Sequence, residues 1–288
     1  MSSNASSKPA RRTDRTHVLR LLVAWAVLTV IGILIAMQVH LPPGDQSHQS
    51  GDQTWLLQLM TIISIPVFVG VVLFVVYAAF AFRQKGTVLE DGPPSYGNFR
   101  IQVAWVAVTA VVVLILAIIG IDELANTAGE TTFAASSQPI LATVGTAAGH
   151  PMQVQVIGQQ WWFTYRYPDF GGVESTHLML PVDANIEFHV TSTDVLHSFW
   201  AYQLGVKADA NPGADNISYV TTLHTGSFTV RCAELCGLWH GHMADSNGGV
   251  LTQDAFAVWI AQVQKDNTGL KLPPYAPIYF PSPAVKGA

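Results

Sequence analysis

The sequence predicts a membrane-anchored all-β protein, with N-terminal transmembrane helices followed by a β-sandwich or barrel. Three observations carry this reading. Half of the 288 residues are hydrophobic and only 11% are charged, an unusual balance for a soluble chain of this length. The apolar residues concentrate in three N-terminal stretches. Residues 151–263 instead show short alternating runs broken by Gly, Pro, Asn and Asp, the pattern of strands joined by turns.

The three stretches are residues 18–39, 55–82 and 103–121. The first holds one charge, Arg20, and the other two hold none. A helix of roughly 20 apolar residues crosses a bilayer core, so each is long enough. Pro66, inside the second, is tolerated in membrane helices. Arg11, Arg12, Arg15 and Arg20 cluster at the start of the first stretch, and Arg83, Lys85 and Arg100 lie in the 83–102 loop. The connection from His40 to Thr54 has no Lys or Arg. The positive-inside bias places tail 1–17 and loop 83–102 in the cytoplasm, and everything after Asp122 outside, on a multi-pass protein of a bacterial plasma membrane. The first stretch also has the basic start of a signal sequence. Its apolar length and the lack of an Ala-x-Ala cleavage site favour a retained helix or signal anchor.

Residues 122–150, rich in Ala, Thr, Gly and Ser, read as a linker. Asp254 to Val263 reads as a short closing helix, and the proline-rich tail 264–288 reads as extended. There is no phosphate-binding glycine loop and no basic nucleic-acid patch. No Cys-x-x-Cys-His occurs, which excludes a fused c-type heme.

Chemistry concentrates in Cys232-Ala-Glu-Leu-Cys236-Gly-Leu-Trp-His240-Gly-His-Met243, which contains the only two cysteines. Thiolate, thioether and imidazole donors favour copper, or failing that zinc. Other readings stay open from the residues alone. A disulfide between cysteines four apart closes a small loop of little benefit. Structural zinc wants four ligands and no thioether. A mononuclear blue-copper site uses one thiol, not two. Two thiolates bridging two coppers account for the excess, provided a second histidine comes from elsewhere. His197 is the candidate. It follows the alternating run Ile186–Val190, which places it at the end of a core strand, within reach of the loop that leaves strand Ser227–Cys232.

The loop, His197, Leu204-Gly-Val-Lys-Ala-Asp-Ala-Asn-Pro-Gly213 and the aromatic run Gly158-Gln-Gln-Trp161-Trp-Phe-Thr-Tyr165 together resemble subunit II of cytochrome c oxidase. The resemblance covers roughly residues 55 to 263, and every fixed position of the family's Cys-x-Glu-x-Cys-x-x-x-His-x-x-Met loop is met. It implies a cupredoxin-like fold and a binuclear copper centre, CuA, that takes electrons from cytochrome c or another periplasmic donor and passes them to heme in subunit I. By that resemblance Cys232 and Cys236 bridge the coppers, His197 and His240 are terminal ligands, and Met243 and the Glu234 carbonyl are weak axial ligands. The Glu234 side chain points to magnesium at the subunit I interface, and electrons enter at Trp161. Subunits I and III are the implied partners, and this subunit would reduce no oxygen itself. A CuA-bearing subunit of a nitric oxide reductase and a membrane-tethered copper chaperone are the alternatives. The quinol-oxidase subunit of this fold lacks the copper ligands.

Other residues receive ordinary readings. His177, His189 and His224 stand isolated in the sequence and read as ordinary surface or hydrogen-bonded histidines and not ligands, His242 as an exposed or neighbouring non-ligand, and Trp162, Trp200 and Trp239 as packing residues and not electron relays. Asp209 reads as a turn residue or part of an interface network. One departure stands out. Family members begin their final membrane helix with Glu-x-x-Trp-Thr, where the chain has Gln102-Val-Ala-Trp105-Val106. An amide cannot exchange a proton as a carboxyl does, so any proton path starting here needs an acid from another subunit.

Overall fold

The computed structural model describes residues 15–81, 83, 97–129 and 150–268. Three long helices come first: α1 (Arg15–Ala36), α2 (His48–Ala81) and α3 (Phe99–Gly129). All three are long and apolar enough to cross a membrane, and their apolar side chains are largely exposed, as lipid-facing or partner-facing surfaces are. α3 begins where Asn98 Oδ1 accepts the backbone N–H groups of Arg100 and Ile101, a side-chain cap for otherwise unpaired donors. It runs on through Gly129, so residues 122–129, expected to be linker, are helical; Ala and Glu favour the helix there and no proline stops it. The rest of the expected linker, most of tail 1–17 and loop 83–102, and the proline-rich tail beyond residue 268 lie outside the described residues.

α1 and α2 pack against each other. The Trp25 indole donates to the Pro66 carbonyl at 2.8 Å. A Cβ on Gly32 would fall 2.9 Å from the Ile65 side chain, and one on Gly70 would fall 3.3 Å from the Trp25 indole nitrogen. Small residues thus let the helices approach, and one hydrogen bond joins them where water is scarce.

Among the described residues there are ten strands: β1 (Met152–Gln159), β2 (Trp162–Tyr167), β3 (Val173–Ser175), β4 (Met179–Pro181), β5 (Asn185–Ser192), β6 (His197–Ala201), β7 (Val206–Ala210), β8 (Asn216–Thr221), β9 (Gly226–Cys232) and β10 (Ala244–Leu251). They form two five-stranded sheets, β3-β2-β1-β5-β8 and β4-β10-β9-β6-β7. β1 pairs parallel with β5, and β4 with β10; the remaining pairs are antiparallel. This is a cupredoxin-like sandwich.

Alternation builds its core. Ile186, Phe188 and Val190 of β5 and Phe228, Val230 and Cys232 of β9 are buried at every second position. Phe199 of β6 meets Phe188 and Phe163 of the other sheet at ring-centroid distances of 5.2 and 6.1 Å. The closing helix α4 (Gln253–Asp266) is capped by Thr252, whose hydroxyl accepts from the Ala255 N–H. Its buried Phe256 packs against Tyr167 and Phe170.

The connection between α1 and α2 is more than a link. Ser47 bridges Thr222 as an isolated antiparallel pair, and its hydroxyl donates to the Leu204 carbonyl at 2.7 Å. Gln46 O accepts from Leu223 N–H, and Gln49 Oε1 accepts from Thr221 N–H. Ser47 and Ser50 are fully buried. Gly205 makes this fit possible. It sits at φ +65°, and a Cβ there would lie 2.8 Å from the Ser50 backbone nitrogen. Gly205→Ala is expected to cost about 2 kcal/mol, from left-handed strain plus the clash. Thermal unfolding of the purified chain checks this, and an unchanged midpoint would show that the connection is not seated there.

Candidate metal centre

β9 delivers Cys232 to the sandwich interior as the last of its inward residues. The chain then leaves the sheet for eleven residues and returns as β10. Cys232 N–H donates to the Met243 carbonyl at 3.0 Å and closes the loop at its neck. Ala233 N–H donates to the Ser198 carbonyl at 2.9 Å, tying the loop to β6. Within the loop, His240–His242 form a single 3-10 turn. His197 opens β6 and does not close β5, as the alternating run had implied; β5 ends at Ser192 and a short turn intervenes. Because Phe199 pairs with Cys232, His197 lies two residues further along β6, at the mouth of the same loop.

Six residues expected from the sequence therefore converge. His197 Nδ1 is 3.8 Å from Cys232 Sγ, and the two sulfurs are 3.8 Å apart. His240 Nδ1 is 3.5 Å and Met243 Sδ 3.7 Å from Cys236 Sγ. The Glu234 carbonyl is 3.2 Å from Cys232 Sγ. His197, Cys232 and Cys236 offer ligand atoms that all lie within 4.8 Å of one another. Both cysteines are free thiols, and they, His197 and Met243 are buried. Two sulfurs, two imidazole nitrogens, a thioether and a carbonyl around one small volume form a soft donor set that fits copper. The Glu234 side chain is exposed.

Trp161 lies beside the loop, half-buried. Gly237, at φ +119°, lets it approach: a Cβ there would fall 2.9 Å from the Gln160 amide and 3.4 Å from the Trp161 indole nitrogen. Leu196, Leu235, Leu238 and Trp239 are exposed around the site. Trp162 and Trp200 are exposed as well, so none of the three tryptophans read as packing residues is in the core. Period-two alternation turns Trp162 and Trp200 outward, and Trp239 sits on the loop. His177, His189 and His224 pair with carboxylates outside the donor cluster, as ordinary surface or hydrogen-bonded histidines do. His177 pairs with Asp245 at 2.9 Å, His189 sits between Glu187 and Asp215, and His224 is 3.8 Å from Asp45. His242 stacks near Trp239 and stays outside the donor cluster. Asp209 accepts a hydrogen bond from the buried Ser198 hydroxyl at 2.8 Å. Two polar residues at the site escaped the sequence reading, Asp194 and Gln160. Asp194 Oδ1 is 2.8 Å from His197 Nε2, and the Gln160 side chain donates to the Cys236 carbonyl at 2.7 Å.

The comparisons with known proteins fit this geometry. The family model for the cytochrome c oxidase subunit II periplasmic domain matches residues 173–246. Cytochrome c oxidase subunit 2 of Thermostichus vulcanus is 27% identical over 290 residues, covering 88% of this chain and 87% of that protein. The Synechocystis counterpart is 28% identical over 256 residues, covering 78% and 76%. The crystal structure of the periplasmic domain of the Bradyrhizobium japonicum subunit is 31% identical; the match covers 43% of this chain and 99% of that one, with a TM-score of 0.39. The chain belongs to the cytochrome c oxidase subunit II family. It is thus a membrane component of an oxidoreductase complex, in which it partners other oxidase subunits.

The two thiols are electrostatically unequal. Burial alone would raise the Cys232 pKa, but hydrogen bonding to His197, to the backbone at Ser198 and Glu234, and to His240 outweighs it and lowers it to about 6. Burial and the neighbouring Cys232 thiolate push Cys236 up to about 12. One negative charge is therefore held where two would repel. In the metal-free protein one thiolate should appear as pH rises through about 6, while the second thiol stays protonated past pH 9. Ultraviolet thiolate absorbance measures this. Cys232→Ser should remove the first step, and two thiols titrating together near 9 would contradict the asymmetry.

Proposed function

We propose that this chain is the electron-accepting subunit of a respiratory cytochrome c oxidase, taking electrons from cytochrome c on the outer face and passing them to heme in subunit I. The convergence of His197, Cys232, Glu234 O, Cys236, His240 and Met243 carries the proposal. Cys232 and Cys236 would hold two copper ions between them. His197 and His240 would supply one imidazole beside each sulfur. Met243 and the Glu234 carbonyl would be weak ligands, again one beside each sulfur. The bound pair, CuA, would supply a one-electron relay whose charge change is shared by two metals and two sulfurs. The exposed Glu234 carboxylate is a hard oxygen donor and would suit a magnesium ion at the junction with subunit I.

The protein's part is to keep these donors in one geometry whichever charge they meet. Cys232 and Met243 are joined at the loop neck, and His197 is fixed by β6. Trp161, half-buried beside Gly237, is placed to bring electrons in. The exposed apolar rim of Leu196, Leu235, Leu238 and Trp239 supports docking of a donor. The chain from Asp122 onward carries 14 acidic and 6 basic residues, which favours a basic donor such as cytochrome c.

Packing also supports three membrane helices with the N-terminus inside. The 42–54 connection is seated on the β-domain and so shares its side of the membrane. α1 is fastened to α2 at Trp25, Gly32 and Gly70. The mass of the purified chain should then include residues 15–36; a mature N-terminus between residues 37 and 45 would contradict this.

Copper titration of the purified protein tests the central reading. It should bind two coppers and give a purple, mixed-valence spectrum with the unpaired electron shared. Cys232→Ser or Cys236→Ser should abolish that sharing. Met243→Leu should shift the potential more than it reduces occupancy, because an axial thioether is a weak ligand. Uptake of one zinc and no copper would overturn the reading.

A further inference from the structure

Asp194 lies outside the copper motif, yet its carboxylate joins two parts of the site. Oδ1 is 2.8 Å from Nε2 of the fully buried His197 and also accepts the Val195 N–H at 2.6 Å and the Ser192 hydroxyl at 3.3 Å. Oδ2 accepts the Gln160 N–H at 2.7 Å. Gln160 precedes Trp161, and its side-chain amide donates to the Cys236 carbonyl at 2.7 Å. The contacts close a ring: His197 to Asp194, Asp194 to Gln160, Gln160 to Cys236, and Cys236 back to His197 through Cys232.

We propose that Asp194 and Gln160 are positioning residues of the electron-transfer centre. Asp194 selects the His197 tautomer that leaves Nδ1 free for a metal, and Gln160 locks the Trp161 segment to the ligand loop. The inference rests on the CuA reading above. Its physical basis is the limited repertoire of a carboxylate. An ionised carboxylate only accepts, so the His197 nitrogen facing it must carry the hydrogen. In a neutral imidazole the lone pair then falls on Nδ1, the atom that faces Cys232 Sγ. An amide at position 194 can present its NH₂ group instead, which allows the opposite tautomer and puts a hydrogen where the metal would bind. Through Gln160 the same carboxylate sets the backbone just before Trp161, so the imidazole and the indole are registered to one group.

A purely structural role is the competing explanation, because Asp194 also holds the turn after β5. Ser192 separates the two. Its hydroxyl donates to the Val195 carbonyl at 2.6 Å, accepts the Asp194 N–H and makes only a longer 3.3 Å contact to Oδ1, so Ser192→Ala chiefly weakens the turn and leaves the carboxylate its shorter bonds to His197, Val195 and Gln160.

The test uses the full chain with histidine-selective ¹⁵N labelling, the His197 signal being assigned by its loss in His197→Gln. Copper affinity, spectrum and reduction potential are then measured on the same proteins. Metal-free wild type should show His197 with the hydrogen on Nε2, and Asp194→Asn should show a mixture or the reverse. Asp194→Asn should also bind copper roughly 10- to 100-fold more weakly and shift the potential. Ser192→Ala should match wild type in tautomer and affinity. Gln160→Ala should keep the tautomer and the copper spectrum but slow reduction by an external donor. The proposal is overturned if Asp194→Asn keeps the wild-type tautomer and affinity, if Ser192→Ala reproduces its losses, or if Gln160→Ala is reduced at the wild-type rate. A wild type that never forms the mixed-valence centre would sink the CuA reading instead, and the tautomer comparison in metal-free protein would still decide the role of Asp194.

Discussion

The antiparallel pairing of β6 with β9 is the contact on which the rest of the site depends. It sets Phe199 opposite Cys232. His197 thereby comes to the mouth of the loop, and the Ser198 carbonyl meets the Ala233 N–H. The neck bond from Cys232 to Met243 then brings the thioether back to the sulfurs. A shift of one residue in this register would turn every side chain of one strand to the other face. Cys232 would leave the interior, and His197 would lose its place beside it. The aromatic contacts of Phe199 with Phe188 and Phe163 guard against that slip, because they fill the space between the sheets.

The sandwich holds the donors together at an electrostatic cost that the fold itself limits. Two thiolates side by side in a buried pocket would repel each other and be poorly solvated. The asymmetry between Cys232 and Cys236 reduces the pocket to one thiolate. Asp194 is held below the ordinary carboxylate range: burial opposes its ionisation, but the Gln160 N–H, His197 and the Val195 N–H outweigh it. It stays anionic beside an imidazole whose own pKa is raised, since hydrogen bonds to Cys232 and Asp194 overcome its burial. Charge is thus paired contact by contact, which lets the donors gather before any metal arrives.

Much of this was legible in the sequence, for identifiable reasons. Membrane helices and strands announce themselves through period and length, and Phe228, Val230 and Cys232 alternate as an inward strand face must. The ligand loop is local, so Cys232, Cys236, His240 and Met243 stood out as candidate donors, while the Glu234 carbonyl and the ligand roles came from the family resemblance. What stayed hidden depends on partners distant in the chain. Asp194 and Gln160 are 34 residues apart, and neither has a local pattern that betrays the bond. The 42–54 connection looks like a polar link, yet Ser47 and Ser50 are buried because backbone groups near Leu204 and Thr222 receive them. The outward face of Trp162 and Trp200 stays hidden in the sequence for a simpler reason. Large apolar side chains are usually buried, and only the strand register shows which face they take. The outward aromatics and the loop leucines mark surfaces that other oxidase subunits can cover.

The central claim is that the protein builds the donor cluster itself and that metal binding changes it little. High-resolution structures of the full chain, metal-free and copper-loaded under the same conditions, test this most directly. A site held by β6, by the loop neck and by the Asp194–Gln160 ring should keep the Cys232, Cys236, His197, His240 and Met243 donor atoms within about 0.5 Å between the two states. A loop that refolds on loading, with His197 or Met243 moving by the width of a side chain, would contradict it.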